Sequence, residues 1–516
     1  MSKSKVKPLL ILLLNTAIFA IAAFALPVLF EDNDDTTMAW IANGVYSGTP
    51  DCHLVFINAI WGSLLSFLYT IIPSIEWYSL LFAVLQIVSM TIILLFINNM
   101  FGRSWSKYLF FLVYYVLWFL IIIRFQFTTT SAITAFAACL LLYKKQYIAG
   151  GILLVIASMV RFSAAGLVGL LMAPALVYAY RKDLIRGLVP LALVLVCVAG
   201  VYKADSLFYQ TPEWSYFREF NSLRGKINDN PNLWRVIGHY PDGITQGEFN
   251  TVAAFAIDPN MTTADELRDI LNVIDSTPSY KKAKNIYPCL ILRYWKWIIT
   301  MLLFFFVPII LYPNKRLAFF TLLIIGYWLT ILAFITLNGS LKFRVFLSAI
   351  IPMFFYSGLM FPSRSSRIIV NCFSIIPFML VMLLFVQCII EQRKRIESKE
   401  ELFEEQISLV ATVRNYSIIS AGADFYVEMY PPFMLSKVIP PQVFINPYCM
   451  MASPLNNAYD SYDDLVDSKL CFMSSVDRGF DLYIEELSNN YGIQADTTRI
   501  SKSEHFCLVG LTEKEQ

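Results

Sequence analysis

The sequence predicts an all-α polytopic membrane protein with about 11 transmembrane helices and a small extracytoplasmic α/β domain at its C-terminal end. Three observations predict it. Hydrophobic residues make up 57% of the 516 and charged residues 15%, whereas soluble domains carry roughly a quarter of charged residues. Apolar stretches recur along the first 390 positions, each about 15–25 residues long, which suits a helix crossing a bilayer. After position 390 the chain turns charged and mixed, with short apolar runs between turn residues, a pattern of alternating helices and strands.

The first element is preceded by MSKSKVK. It is Pro8–Phe30, whose apolar run is longer than a signal core and gives way to acids rather than a small-residue cleavage site; it reads as an uncleaved first helix. Glu31, Asp32, Asp34 and Asp35 come next, then MAWIANGVYSG with Met38, Ile41, Ala42 and Val45 on one helical face. The acids therefore open an amphipathic juxtamembrane helix, where the dipole favours carboxylates. Further spans are expected at Trp77–Ile97, Tyr108–Ile123, Phe127–Leu142, Tyr147–Val160, Ser163–Tyr180, Gly187–Val201, Pro288–Tyr312, Leu317–Leu337, Val345–Phe361 and Ile368–Ile390.

Leu54–Pro73 is apolar enough to cross as well, and the charges of the loops decide against it. If it stays on one side, every short inner loop is basic: Lys3, Lys5 and Lys7, then Arg103 and Lys107, Lys144 and Lys145, Arg181, Lys182 and Arg186, Lys315 and Arg316, Arg364 and Arg367. Such loops belong in the cytoplasm. The expected protein is thus a multi-pass cell-membrane protein, N-terminus cytoplasmic, C-terminus outside. Its membrane domain is 1–390 with outer loops 31–76 and 203–287, and its extracytoplasmic α/β domain is 391–516.

In the middle loop, NMTTADELRDILNVI places Thr262 or Thr263 before an acidic first turn and spaces Leu267, Ile270, Leu271 and Ile274 as one helical face, a capped helix. The tail reads as a charged helix after Glu391, a strand SIISA, turns at YPPF and IPPQ, a strand KLCFMSS, a helix DRGFDLYIEELSNNYG and a final strand HFCLVGL.

Composition also excludes. A net charge of +2 with no basic, aromatic-interleaved patch speaks against nucleic acid. Five of nine cysteines lie in apolar spans, the other four show no CxxC spacing, and there are only three histidines, so neither a zinc site nor a disulfide framework is expected. No GxGxxG or GxxxxGK[ST] occurs, hence no phosphate-cradling loop of those kinds.

Two clusters carry chemistry. One is the acidic loop, because ionisable groups at a membrane edge are costly and usually functional. The other is a set of cations at the outer ends of spans, where such residues should be scarce: Arg124, Arg161, Arg293, Lys296, Lys342 and Arg344. Snorkelling to head groups accounts for any one of them; a site for an anion accounts for the set. A carboxylate takes a proton from an incoming hydroxyl, and Arg stabilises charge on a departing phosphate bidentately.

With the first span, EDNDD in the first outer loop and then GVYSGTPDCHLVFINAIWGSLLSFLY, the chain resembles the GT-C-fold polytopic membrane glycosyltransferases, the class of the protein O-mannosyltransferases and aminoarabinose transferases. The resemblance implies a GT-C-like membrane domain and transfer of a sugar from a polyprenyl phosphate or diphosphate donor, with inversion. The acceptor would be a glycan, lipid or protein at the extracytoplasmic face, in assembly of cell-envelope polysaccharide or glycolipid. Asp34 matches the family's motif aspartate and Asp35 its acidic neighbour, as catalytic residues. Arg344, Lys342, Arg161, Arg124 and Arg293 are the candidates for the donor phosphate, and His53 and Trp61 for acceptor or sugar contact. No cofactor is required, and a divalent cation at the acids stays open. A polysaccharide polymerase or ligase is the alternative, and a lipid-linked glycan transporter a further one, although no internal repeat of the transporter kind is present.

Overall fold

The structure, a computed structural model, describes residues 8–45, 48–101, 106–182, 184–228, 230, 263–276, 282–311, 314–338, 341–360, 368–413, 417–420, 426–433, 443–444, 470–475, 488 and 495–513. Among these residues, helices α1 to α14 run in order over Pro8–Ala25, Asn33–Asn43, Ala59–Ile71, Trp77–Phe101, Ser106–Ile123, Phe127–Tyr143, Tyr147–Tyr180, Leu184–Phe208, Pro212–Asn228, Ala264–Ser276, Lys282–Leu311, Lys315–Asn338, Phe343–Met360 and Ile368–Ala411. Nine of them are long and apolar enough to cross a membrane. The chain is a multi-pass helical membrane protein.

The expected spans map onto these helices one for one once α6 is included and α7 is taken as two arms. α7 is a single run of 34 residues with a break inside it: Arg161 has φ −158° and ψ 102°, extended backbone between two helical arms. That is where hydropathy separates Val160 from Ser163. α3 has 13 residues, about 20 Å at 1.5 Å per residue against about 30 Å of hydrocarbon. It is not among the nine helices long and apolar enough to cross.

Buried polar side chains tie the apolar helices together. Gln86 of α4 donates to the Thr130 hydroxyl of α6 at 2.8 Å. Asn15 of α1 donates to Thr91 at 3.0 Å and accepts from the Tyr115 hydroxyl at 2.8 Å. In lipid, where apolar surface gains nothing by meeting apolar surface, such bonds supply specificity. Gly62 on α3 sits against the Cys52 carbonyl, where a Cβ would overlap main chain; only glycine lets the 51–58 loop lie on that helix.

Two very short strands place the acidic loop. β1 (Leu29–Phe30) leaves α1 and pairs in parallel with β2 (Arg124–Phe125), which leaves α5, with Leu29 opposite Arg124 and Phe30 opposite Phe125. The ladder continues through the Glu31 amide to the Phe125 carbonyl at 3.1 Å. The ends of α1 and α5 are thereby stapled, and the acids beyond Phe30 are delivered beside Arg124.

α2 corrects one expectation. An amphipathic helix at the interface would keep one face wet, yet every residue from Asp35 to Ala42 is buried. The covering element comes from far away in sequence: Thr36 donates to the Val427 carbonyl at 3.4 Å, Trp40 meets Tyr430 edge-on at 5.8 Å, and Phe433 packs on Phe19 and Phe125. Residues 426–433 thus pack on the membrane core, and Ser79 donates to the Pro432 carbonyl.

In the middle loop, Thr263 and Glu266 form the expected capping box, the Glu266 amide donating to the threonine hydroxyl and the Thr263 amide to the glutamate. Leu267, Ile270 and Ile274 pack on Phe220, Leu223 and Ile227 of α9. After the last span the expected charged helix is present, fused to the span: α14 is one helix of 44 residues. It leads to a five-stranded mixed sheet ordered β4-β3-β5-β7-β6, built from Val443–Phe444, Ser417–Ser420, Leu470–Ser475, Phe506–Glu513 and Ala495–Lys502. SIISA, KLCFMSS and HFCLVGL supply three of its strands; β4 and β6 have no counterpart among the expected ones. The expected helix DRGFDLYIEELSNNYG and the IPPQ turn lie outside the described residues, apart from Ser488.

Candidate active site

The acids do not form a free cluster; each is held differently. Glu31 lies between two guanidinium groups, 3.3 Å from Arg124 and 3.9 Å from Arg395, and its main-chain carbonyl accepts from Arg395 at 2.9 Å. Asp32 caps α2, its Oδ1 accepting from the Asn33 amide at 3.0 Å, while Oδ2 accepts from Arg344 at 2.6 Å. Asp35 is fully buried, and its Oδ1 takes both the Tyr78 hydroxyl at 2.9 Å and the Phe127 amide at 3.1 Å. Its Oδ2 is buried with no hydrogen-bond partner. Burial pushes the Asp35 carboxyl well above the usual carboxylate range, and the two donors only partly oppose it. Asp34 stands in the first turn of α2, half-buried, and its charge acts on both Arg161 and Arg344.

Arg161 and Arg344 arrive from α7 and α13. The break in α7 is what turns Arg161: its guanidinium lies over the rings of Phe56 and Phe127 at 5.6 and 5.3 Å, and Nη1 donates to the Phe56 carbonyl at 3.2 Å. No carboxylate among the described residues stands within ion-pair distance of it. It lines a cavity of about 290 Å³ between the 55–58 loop, α7 and α8, together with Asn58, Ser158, Tyr202 and Asp205. An enclosed guanidinium whose nearest carboxylates act only at a distance is costly, and a cavity beside it gives an anion somewhere to sit.

The other candidates separate. Arg124 is committed to Glu31 and to the Phe343 ring at 4.7 Å. Lys342 and Arg293 are exposed and do not touch the acids, and Lys296 donates to Gln387 at 2.9 Å. Trp61 is buried in the helical core, its indole N–H without an acceptor. It does not line the cavity.

His53 is locked into the loop. Its Nδ1 faces Oδ1 of Asp51 at 2.7 Å, its Nε2 faces the Phe208 carbonyl at 3.0 Å, and the ring stacks on Trp214 at 4.0 Å. Acceptors on both nitrogens require both protons. Burial works against that charge, but the Asp51 carboxylate outweighs it and holds His53 raised to about 10, while Asp51 is lowered despite its own burial. Asp51, Cys52 and His53 are close enough together to hold a metal ion, which would take the place of the proton shared between His53 and Asp51.

This ion pair makes stability depend on pH. A folded pKa raised above the unfolded value of about 6.5 gives stability that is fully present below that pH and lost as pH rises through about 10. His53→Gln is expected to cost about 1–3 kcal/mol near pH 6, with the difference from wild type fading to nothing above pH 10. Thermal unfolding in detergent across that range checks it.

Sequence reasoning missed Tyr78, Arg395, Lys399 and Glu428. Lys399 pairs with Glu428, which also lies 3.9 Å from Arg395, so charges alternate from Arg124 through Glu31 to Lys399. The run EQRKR, basic where the last apolar stretch ends, was the available signal.

No protein-family model and no curated protein matches the chain. Among solved structures, ArnT from Cupriavidus metallidurans bound to undecaprenyl phosphate aligns over 97% of this chain and 97% of its own, at 11% identity and a TM-score of 0.39. The apo state of that ArnT aligns over 96% of this chain and 97% of its own, at 12% identity and a TM-score of 0.40. Likeness at that level carries no argument about chemistry, which rests on the residues themselves.

Proposed function

We propose that the chain is a GT-C-type membrane glycosyltransferase that moves a sugar from a polyprenyl-(di)phosphate donor to an acceptor at the extracytoplasmic face. The observation that carries the reading is the meeting of α2, α7 and α13, which pairs Arg344 with Asp32 and puts Asp34 in the field of Arg344 and of Arg161, the latter lining a cavity. Asp34 is the base that takes the acceptor's proton, because it is the acid of the pair with a path to solvent. Asp35 positions it: buried, and bonded to α4 through Tyr78 and to α6 through Phe127, it fixes the first turn of α2. Arg344 and Arg161 receive the donor phosphate and stabilise it as the leaving group, the differential stabilisation on which such transfers rest. Glu31 and Arg124 neutralise each other and take no part in transfer.

The N-terminus is cytoplasmic and residues 391–516 form an extracytoplasmic domain in this reading. Purified protein in nanodiscs, given a polyprenyl-linked sugar and candidate acceptors, should release polyprenyl phosphate or diphosphate together with glycosylated acceptor. Movement of intact lipid-linked glycan across the bilayer with no bond broken would put the transporter in its place. Joining of glycan chains to one another would favour the polymerase.

A further inference from the structure

We propose that Asp32 occupies the donor phosphate's place on Arg344 and must be displaced for the donor to bind. The proposal rests on the donor site described above and adds a competitor built into it. The two oxygens of Asp32 are divided: Oδ1 caps α2 through the Asn33 amide at 3.0 Å, and Oδ2 takes Arg344 at 2.6 Å across 312 residues of sequence. The cap survives if Oδ2 lets go.

The two partners are unequally wetted. The Asp32 side chain keeps 37% of its exposure and that of Arg344 14%. A released carboxylate returns to water at little cost, whereas the guanidinium needs a counter-charge wherever it is enclosed. The phosphodiester of a polyprenyl-phosphate sugar carries one negative charge on two non-bridging oxygens, and a diphosphate carries two charges on four, so either displaces a single carboxylate from a fork that binds such oxygens bidentately. Arg161 has no such competitor. Donor binding is then an addition at Arg161 and an exchange at Arg344. The released Asp32 carboxylate stays tethered next to the bound anion, repels it, and reclaims Arg344 when the spent carrier leaves.

An alternative role, in which Asp32 merely orients Arg344, has the opposite sign and is separable. Asp32→Asn keeps a capping oxygen, since Asn caps helices as well as Asp, and removes the charge; Asp32→Ser does the same with a hydroxyl. Binding of farnesyl phosphate to the full-length protein in detergent should tighten about tenfold in both variants, and Arg344→Ala should abolish that gain. Equal or weaker binding by both variants overturns the proposal and leaves the donor site standing, provided Arg344→Ala weakens binding in the wild-type background. If Arg344→Ala binds as well as wild type, the donor site falls and the competitor with it.

Discussion

Asp34→Asn is expected to cut sugar transfer by about 10²–10⁴-fold, the usual contribution of a general base, while thermal stability stays near that of wild type. The substitution keeps the size of the side chain and its place in the first turn of α2, where Asp34 is half-buried. What it removes from the fold is one favourable charge at a helix start, about 0.3–1 kcal/mol. What it removes from the reaction is the lone pair that accepts a proton. Asp35→Asn is the informative partner. An amide oxygen still accepts from Tyr78 and Phe127, and a carboxyl pushed up by burial loses little when replaced by a neutral group. Its loss of transfer should therefore be the smaller. Turnover measured with a polyprenyl-linked donor decides: near wild-type rates in both variants would remove the acids from catalysis and bring the polymerase and transport readings forward.

Arg344→Ala is expected to weaken binding of the lipid-phosphate donor by about 10²-fold, within the 2–5 kcal/mol or more lost on truncating one partner of an enclosed charge pair. Folding should survive, because the abandoned Asp32 is the more solvated member of the pair and still caps α2. Arg344→Lys keeps the charge without the planar fork and should fall between the two. Isothermal titration or quenching with a short prenyl phosphate gives the numbers. Unchanged affinity in Arg344→Ala would return this arginine to a structural role.

How much of the protein is legible in its sequence depends on the distance over which each residue is held. Hydropathy is local, so the spans are readable, even the separation at Val160 and Ser163 that proves to be the break at Arg161. The pairing of Thr263 with Glu266 is readable for the same reason, since a cap is written within four positions. α2 misleads because its periodicity implies a wet face, and the residues that dry it, 426–433, lie nearly 400 positions downstream. The cationic set stands out as anomalous, yet nothing in its spacing separates Arg344, which pairs with Asp32, and Arg161, which feels the charge of Asp34, from Lys342 and Arg293, which do not touch the acids. The role of Glu31, one more acid in the loop when read by sequence alone, depends on Arg395, 364 positions away.

α14 has a mechanical consequence. From Phe378 to Ala411 it contains neither glycine nor proline, so the helix that ends the last span has no joint where it leaves the membrane. A helix of 44 residues measures about 66 Å. Arg395 grips Glu31 part-way along this rod, and the sheet contacts its far end through His505, which donates to Glu405 at 2.8 Å. The rod is a lever with its load at the acidic loop. A stiff rod held at both places ties the position of the sheet to that of the acidic loop.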